Sequence, residues 1–204
     1  MLVNTAVTEN RSGAGGGGII NGGLLTLTNS TVSNNVAGGG NGGGIITESS
    51  DTVTLINSTL SGNLGYRGGA IWIRTSQVRL TNVTVANNSG TLAGGIFNES
   101  GTITLKNTII ANNSPGGDCS GSIASTGHNL DSDGTCSLGA TGDISSQLPL
   151  LGPLQNNGGP TFTHALLEGS PAIDAADDAN CPSADQRGIP RPQEAACDIG
   201  AFER

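Results

Sequence analysis

A short phrase returns along this chain at nearly constant intervals, and that return restricts the fold more than any other feature. It reads NTAVTEN from Asn4, NSTVSNN from Asn29, NSTLSGN from Asn57, NVTVANN from Asn82 and NTIIANN from Asn107, in steps of 25, 28, 25 and 25 residues. A second landmark, Gly18-Ile19, Gly44-Ile45, Ala70-Ile71 and Gly95-Ile96, steps by 26, 26 and 25. Two landmarks that share one period mean that a single supersecondary unit is stacked repeatedly. Within each unit, short apolar alternations are punctuated by glycine and asparagine. No segment has the length or the 3.6-residue rhythm of a helix. An all-β chain of coils of about 25 residues, each resting on the last at an interstrand spacing of about 4.8 Å, is a right-handed parallel β-helix, a solenoid.

Composition supports a narrow core. Aromatic residues make up 2% of the chain and charged residues 12%, while glycine reaches 34 residues. A wide layered core would need large rings that this chain lacks. A column of like aliphatic residues, stacked coil on coil, needs none. Leu25/Leu27, Val53/Leu55, Val78/Leu80 and Ile103/Leu105 are expected to point inward in pairs, with Val32, Leu60, Val85 and Ile110 forming another column. The asparagines Asn29, Asn57, Asn82 and Asn107 are expected at a corner, their amides bonding from coil to coil as a ladder. Glycine pairs such as Gly43-Gly44 and Gly68-Gly69 are expected to supply positive φ at the opposite corner.

The period fails after Asn113, which divides the chain into three parts: regular coils over 1–117, irregular coils over 118–147, and a proline-rich strap over 148–204. Cys119 and Cys136 are 17 residues apart, and Cys181 and Cys197 are 16 apart; no CxxC occurs. Two local disulfides fit this spacing better than a zinc site, one pinning the irregular coils and one the strap. Both imply an oxidising setting. The C-terminal part is thus an irregular, disulfide-pinned cap.

Charge is unevenly placed. Residues 1–117 carry four acids and five bases, a net of +1, and the remainder carries twelve acids and three bases, a net of −9. Nucleic acid is a poor partner for such a chain. No apolar run is long enough for a membrane span. Met1-Leu2-Val3-Asn4 lacks a basic region and a long apolar stretch, so an export signal is expected upstream or already removed.

Residues 148–204 contain LLGPLQNNGGPTFTHAL, GSPAID, CP, DQRG, RPQ and CDIGAFE. This segment resembles the C-terminal signature of bacterial choice-of-anchor Q surface proteins, whose repeats are similar to those of polymorphic outer-membrane proteins. The resemblance covers more than fifty residues there and is looser over the glycine–asparagine repeat upstream. It departs from the family's pattern at DAADD and at Glu194, where glycines are common. The resemblance implies an exported or surface-displayed bacterial protein, with the segment preceding an anchoring tail, and brings no defined enzymatic activity. Read from its residues alone, the strap is an irregular clamp, because its prolines forbid regular ladder bonding. Arg187 and Arg191 are expected to pair with Asp185 and Asp198.

The chemistry-bearing residues are sparse. Arg74, Arg79 and Lys106 form a candidate basic patch of the kind a polysaccharide lyase would use, but no carboxylates accompany them. Asp118, His128, Asp131 and Asp133 make the densest polar cluster. The DSDG within it resembles a fragment of a calcium loop without the further ligands such a loop needs. His164, Ser170 and Asp174 supply the residue types of a hydrolase triad without its G-x-S-x-G elbow, and His164 is expected to bond backbone in the strap. Thr31, Thr59 and Thr84 are expected in one outward column, with Thr26, Thr54 and Thr104 in another.

The function expected from these residues is a non-catalytic secreted or cell-surface module, an adhesin, stalk or display element, without a cofactor other than calcium at most. Its partner is an unknown surface ligand of the carbohydrate class, and its first coil is expected to stack end to end on another copy. The alternatives are a polysaccharide-active β-helix enzyme and a threonine array that binds ice or another regular surface.

Overall fold

A computed structural model describes all residues, Met1–Arg204. The chain winds through four parallel sheets, visiting each once per coil. The first sheet has six strands: Leu2–Val3, Leu25–Thr28, Thr52–Ile56, Gln77–Thr81, Thr102–Lys106 and Ala124–Ser125. The second also has six: Ala6–Thr8, Thr31–Ser33, Thr59–Ser61, Thr84–Ala86, Ile109–Ala111 and Leu130–Asp131. The third and fourth sheets have five strands each, the fourth running from Ile19–Asn21 to Cys119–Ser120. Five coils are therefore complete, and a sixth contributes only to the first two sheets. Coil order continues past residue 117, since Cys119–Ser120 still pairs with Ile96–Phe97.

The inward columns follow the register. Leu27, Leu55, Leu80 and Leu105 are in line, as are Val32, Leu60, Val85 and Ile110. Their side chains are almost wholly enclosed and belong to one continuous core. Each strand is three to five residues long in the central coils, so only one or two side chains per strand face inward, and branched aliphatics suffice to fill the column. Cys119 continues the Ile45–Ile71–Ile96 column, and its disulfide to Cys136 closes that end of the core.

The repeated phrase can be decoded position by position. In NSTVSNN, Asn29 turns the chain from the first sheet to the second with φ of 50°; its equivalents Asn4, Asn57, Asn82 and Asn107 have φ between 45° and 51°. Asparagine tolerates that left-handed conformation better than other residues with a Cβ. Ser30 Oγ accepts the backbone N–H of Thr5 in the coil before it, and the Ser58 hydroxyl accepts that of Ser30. Thr31 points outward, Val32 inward and Ser33 outward. Asn34 makes a second left-handed corner, with φ of 55°. Asn35 is wholly buried and carries the amide ladder.

That ladder is where the structure corrects the sequence reading. It runs through Asn10, Asn35, Asn63, Asn88 and Asn113, each Nδ2 donating to the next Oδ1 at 2.9 Å. Each Oδ1 from Asn35 onward also accepts the backbone N–H of the asparagine before it. Among Asn29, Asn57, Asn82 and Asn107, only Asn107 donates to a fellow member, Asn82, at 3.2 Å. The left-handed backbone aims these side chains outward, and Asn57, Asn82 and Asn107 instead donate to carbonyls of the C-terminal segment. The glycine corner is in part as expected. Positive φ falls on Gly68 as read from the sequence, and on Gly16 and Gly42, whereas Gly43 is required by closeness, because a Cβ there would lie 2.5 Å from the Gly69 carbonyl oxygen.

Both hydrogen-bonded columns end on carboxylates. Asp118 accepts the backbone and side-chain N–H of Asn113 at 3.1 and 2.8 Å, and Asp143 accepts the backbone N–H of Asn129, which caps the serine–threonine column. Asp131 stands in register with Ile110 beneath the aliphatic column, where it accepts from Cys136, Ser145 and Ser146. A one-way chain of donors must finish on an acceptor, and a carboxylate is the strongest one available.

Residues 148–204 fold back across the outer face of the second sheet. The segment opens with one short antiparallel hairpin, strands Leu151–Gln155 and Thr163–Leu166, so it is less irregular than its prolines suggest. Leu166, Ala172, Ile199 and Phe202 then pack on Ile109, Ala111 and Leu130 as a second core. The outward threonines are covered as a result: Thr31, Thr59 and Thr84 are 2%, 0% and 2% exposed. Gln186 fills the space between them, donating to Thr31 and accepting from Thr59. A threonine surface for ice is therefore not present on this face. Cys181–Cys197 joins the strap to itself. Arg187 pairs with Asp185 as expected, but Arg191 pairs with Glu203 at 2.7 Å, and its other contacts are the Asp198 and Gly200 carbonyls. The Asp198 carboxylate serves the backbone N–H groups of Asp174 and Arg204.

Candidate functional site

The residues singled out in sequence mostly hold the fold. Arg74 lies 3.8 Å from Glu48, and Lys106 is bound at 2.6 Å to Asp177, whose carboxyl its ammonium holds down to about 2. Only Arg79, exposed on the first sheet between Thr54 and Thr104, is left without an ion pair, so no basic patch forms. Asp118 is buried, which raises its carboxyl above the ordinary range despite hydrogen bonds from Ser132 and Asn113. Asp133 accepts from the backbone of Asp118 and from Thr135. His128 sits in the corner column of the sixth coil with φ of 57° and bonds the Ala175 carbonyl. Asp118, Asp131 and Asp133 thus accept from backbone and side-chain donors while His128 holds a corner, and no three His, Cys, Asp or Glu side chains converge as ligands.

A groove of about 610 Å³ opens where the hairpin crosses the first four coils. Pro153, Leu154, Pro160 and Phe162 of the hairpin form an apolar wall, and Phe162 is 51% exposed. The facing wall is polar and belongs to the second sheet and its corner: Thr8, Glu9, Ser33, Asn34, Ser61 and Asn87. Glu9 is the only charged side chain in the lining.

Ser61 and His164 meet at the floor. Ser61 stands in register between Ser33 and Ala86 on the outer face, and its Oγ is 2.9 Å from His164 Nε2. His164 Nδ1 lies 2.7 Å from the Gly152 carbonyl oxygen. A carbonyl only accepts, so Nδ1 carries the hydrogen. Burial lowers the imidazole's affinity for a second proton, which leaves Nε2 as an acceptor for the Ser61 hydroxyl. The hairpin sets this geometry: three steps from Leu151 to Leu154 face two from Leu166 to His164, a bulge that contains Gly152 and Pro153. Bulges re-aim neighbouring groups in this manner.

His164 bonds backbone in the strap as expected, and no His164–Ser170–Asp174 triad forms. Ser170 Oγ donates to the Pro149 carbonyl and Asp174 accepts from Ala196. The true partner, Ser61, is 103 residues away in the chain. Gly62 stands where the other coils carry Glu9, Asn34, Asn87 and Asn112, and the Asn34 side chain lies across it, its Oδ1 only 2.4 Å from where a Cβ would stand.

Stacked four-sided coils with parallel register define the class as a β-solenoid. Residues 2–135 match the family described as right handed beta helix region, and the chain belongs to that family. No curated protein and no solved structure gave a significant match.

Proposed function

We propose that the chain is a secreted or cell-surface β-helix module, an adhesin or display element, which holds a neutral saccharide in the groove between hairpin and solenoid. The observation that carries this reading is the groove's split lining. An exposed aromatic and two prolines on one wall suit the C–H face of a sugar ring, while amides and hydroxyls opposite suit its hydroxyls. A single acid and no cation in the lining disfavour uronates and sulfated glycans. Two disulfides suit an oxidising location, and no helix is long and apolar enough to cross a membrane. Cleavage of a polysaccharide backbone fits less well, since Arg74 and Lys106 are paired and Asp118 and Asp131 are buried acceptors.

A glycan array read for binding, followed by product analysis with polyuronates and neutral glycans in the presence of calcium, tests the reading. Binding to neutral glycans that weakens at least tenfold in Phe162→Ala, without chain cleavage, is the expected result. Depolymerisation lost on changing Arg79 or Lys106 would overturn it.

A further inference from the structure

The Ser61–His164 pair is more than saccharide recognition needs. We propose that Ser61 is a nucleophile and His164 its general base, so that the groove hydrolyses carboxylic esters with a short, uncharged acyl group. This goes beyond the binding reading and does not depend on it.

Three independent features meet at one place. The first is the hydrogen-bonded relay: a serine hydroxyl at 2.9 Å from an imidazole nitrogen whose opposite nitrogen is fixed at 2.7 Å by a third group. That is the geometric signature of an activated nucleophile. Here the orienting group is the Gly152 carbonyl instead of a carboxylate. It selects the productive tautomer but lends less charge to the imidazolium. The second feature is access. Neighbouring serines show what an inert position looks like: Ser33 Oγ bonds Thr8 Oγ1 at 3.1 Å, with no base in reach, and Ser170 is spent on Pro149. Ser61 alone has both a base and a groove beside it, the two residues forming the groove's floor at 3% and 2% exposed. The third is the lining. Pro153, Leu154 and Phe162 suit an apolar acyl group, and Asn34 and Asn87, one coil to either side of Gly62, are the lining side chains whose amides can turn N–H donors to a developing oxyanion.

In the first step a bond forms between Ser61 Oγ and the acyl carbon as the bond to the leaving oxygen breaks. The serine proton passes to His164 Nε2 and from there to the departing alkoxide, which leaves as an alcohol. Water then gives a proton to Nε2 and attacks the acyl carbon. Ser61 Oγ leaves and recovers that proton. The net change is ester plus water to carboxylic acid plus alcohol, with no other reactant.

The test uses the whole chain, a fluorophosphonate probe and p-nitrophenyl acetate. Peptide mapping should place the label on Ser61, with Ser33 and Ser170 unlabelled. Ser61→Ala should bring both labelling and turnover to background, and His164→Asn should slow both by about a hundredfold or more, the usual loss of a general base. Because His164→Asn can also loosen the hairpin, its urea midpoint is measured alongside, and Ser122→Ala, exposed and outside the groove, serves as the control that should label at the wild-type rate. A wild-type protein whose Ser61 labels no faster than Ser33, or whose turnover survives Ser61→Ala, overturns the inference. Glycan binding that persists in such an inert protein leaves the binding reading intact.

Discussion

At the residue scale, the fold spends its few polar side chains on one another. Asn88 accepts two N–H groups from Asn63, and its own amide donates to Leu60, Ala86 and Asn113. Asn88→Ala strands those groups in a dry interior, and a loss of about 3 kcal/mol is expected in urea unfolding. A buried aspartate of the strap, Asp198, faces the same enclosure. Burial raises the Asp198 carboxyl to about 6, above the ordinary 3.8. Between those values the folded chain holds a proton that the unfolded chain releases. Stability from this group therefore increases as pH falls from above 6 toward 4. His164 works in the opposite direction: its folded affinity for a proton is lowered, so its contribution declines as pH falls below 6.5. Melting temperature against pH should show a steeper acid-side decline in Asp198→Asn than in the wild type, because a group that gains stability on acidification is lost while His164 and Asp177, which lose it, remain. An unchanged profile would contradict the assignment.

At the element scale, the strap and the second sheet hold each other through a few enclosed polar contacts. Gln186 Nε2 donates to Thr31, Thr161 and the Phe162 carbonyl, while Oε1 accepts from Thr59. Gln186→Ala should cost about 3 kcal/mol, with hydrogen exchange accelerated in the hairpin and much less in the first sheet. Removing Cys181–Cys197 by double serine substitution should cost about 3 kcal/mol, the usual loss for a loop of this length. The period, the aliphatic columns and both disulfides were legible in the sequence because each depends on neighbours at fixed spacing. The ladder was not. Asn29 and Asn35 recur with the same step, and only φ decides which one turns outward. Nor was the Ser61–His164 contact legible, since it depends on where a returning strap lands. The buried threonines were misread for the same reason: alternation shows that Thr31 leaves the core, not that another layer waits outside.

At the scale of the whole structure, the first coil of these 204 residues carries an unpaired edge. The strands of the first coil pair only with the second, and Ile20 and Leu24 are 63% and 75% exposed. An unpaired row of backbone groups is a template for another strand. Sedimentation velocity on these 204 residues should show a weight-average coefficient that increases with concentration. Val3→Lys, which puts a charge on that edge, should suppress the increase; a coefficient constant with concentration in the wild type would count against edge stacking.

The strap also gives the protein a history. Its hairpin rests on coils that precede it in the chain, while Glu203 receives Arg191 and the backbone of Gln193. A nascent chain can wind its solenoid as it emerges, yet its threonine-studded flank stays bare until residues 148–204 have followed. Closure is therefore a late event, and a stop inside that segment would leave a long uncovered side, not a protein one coil shorter.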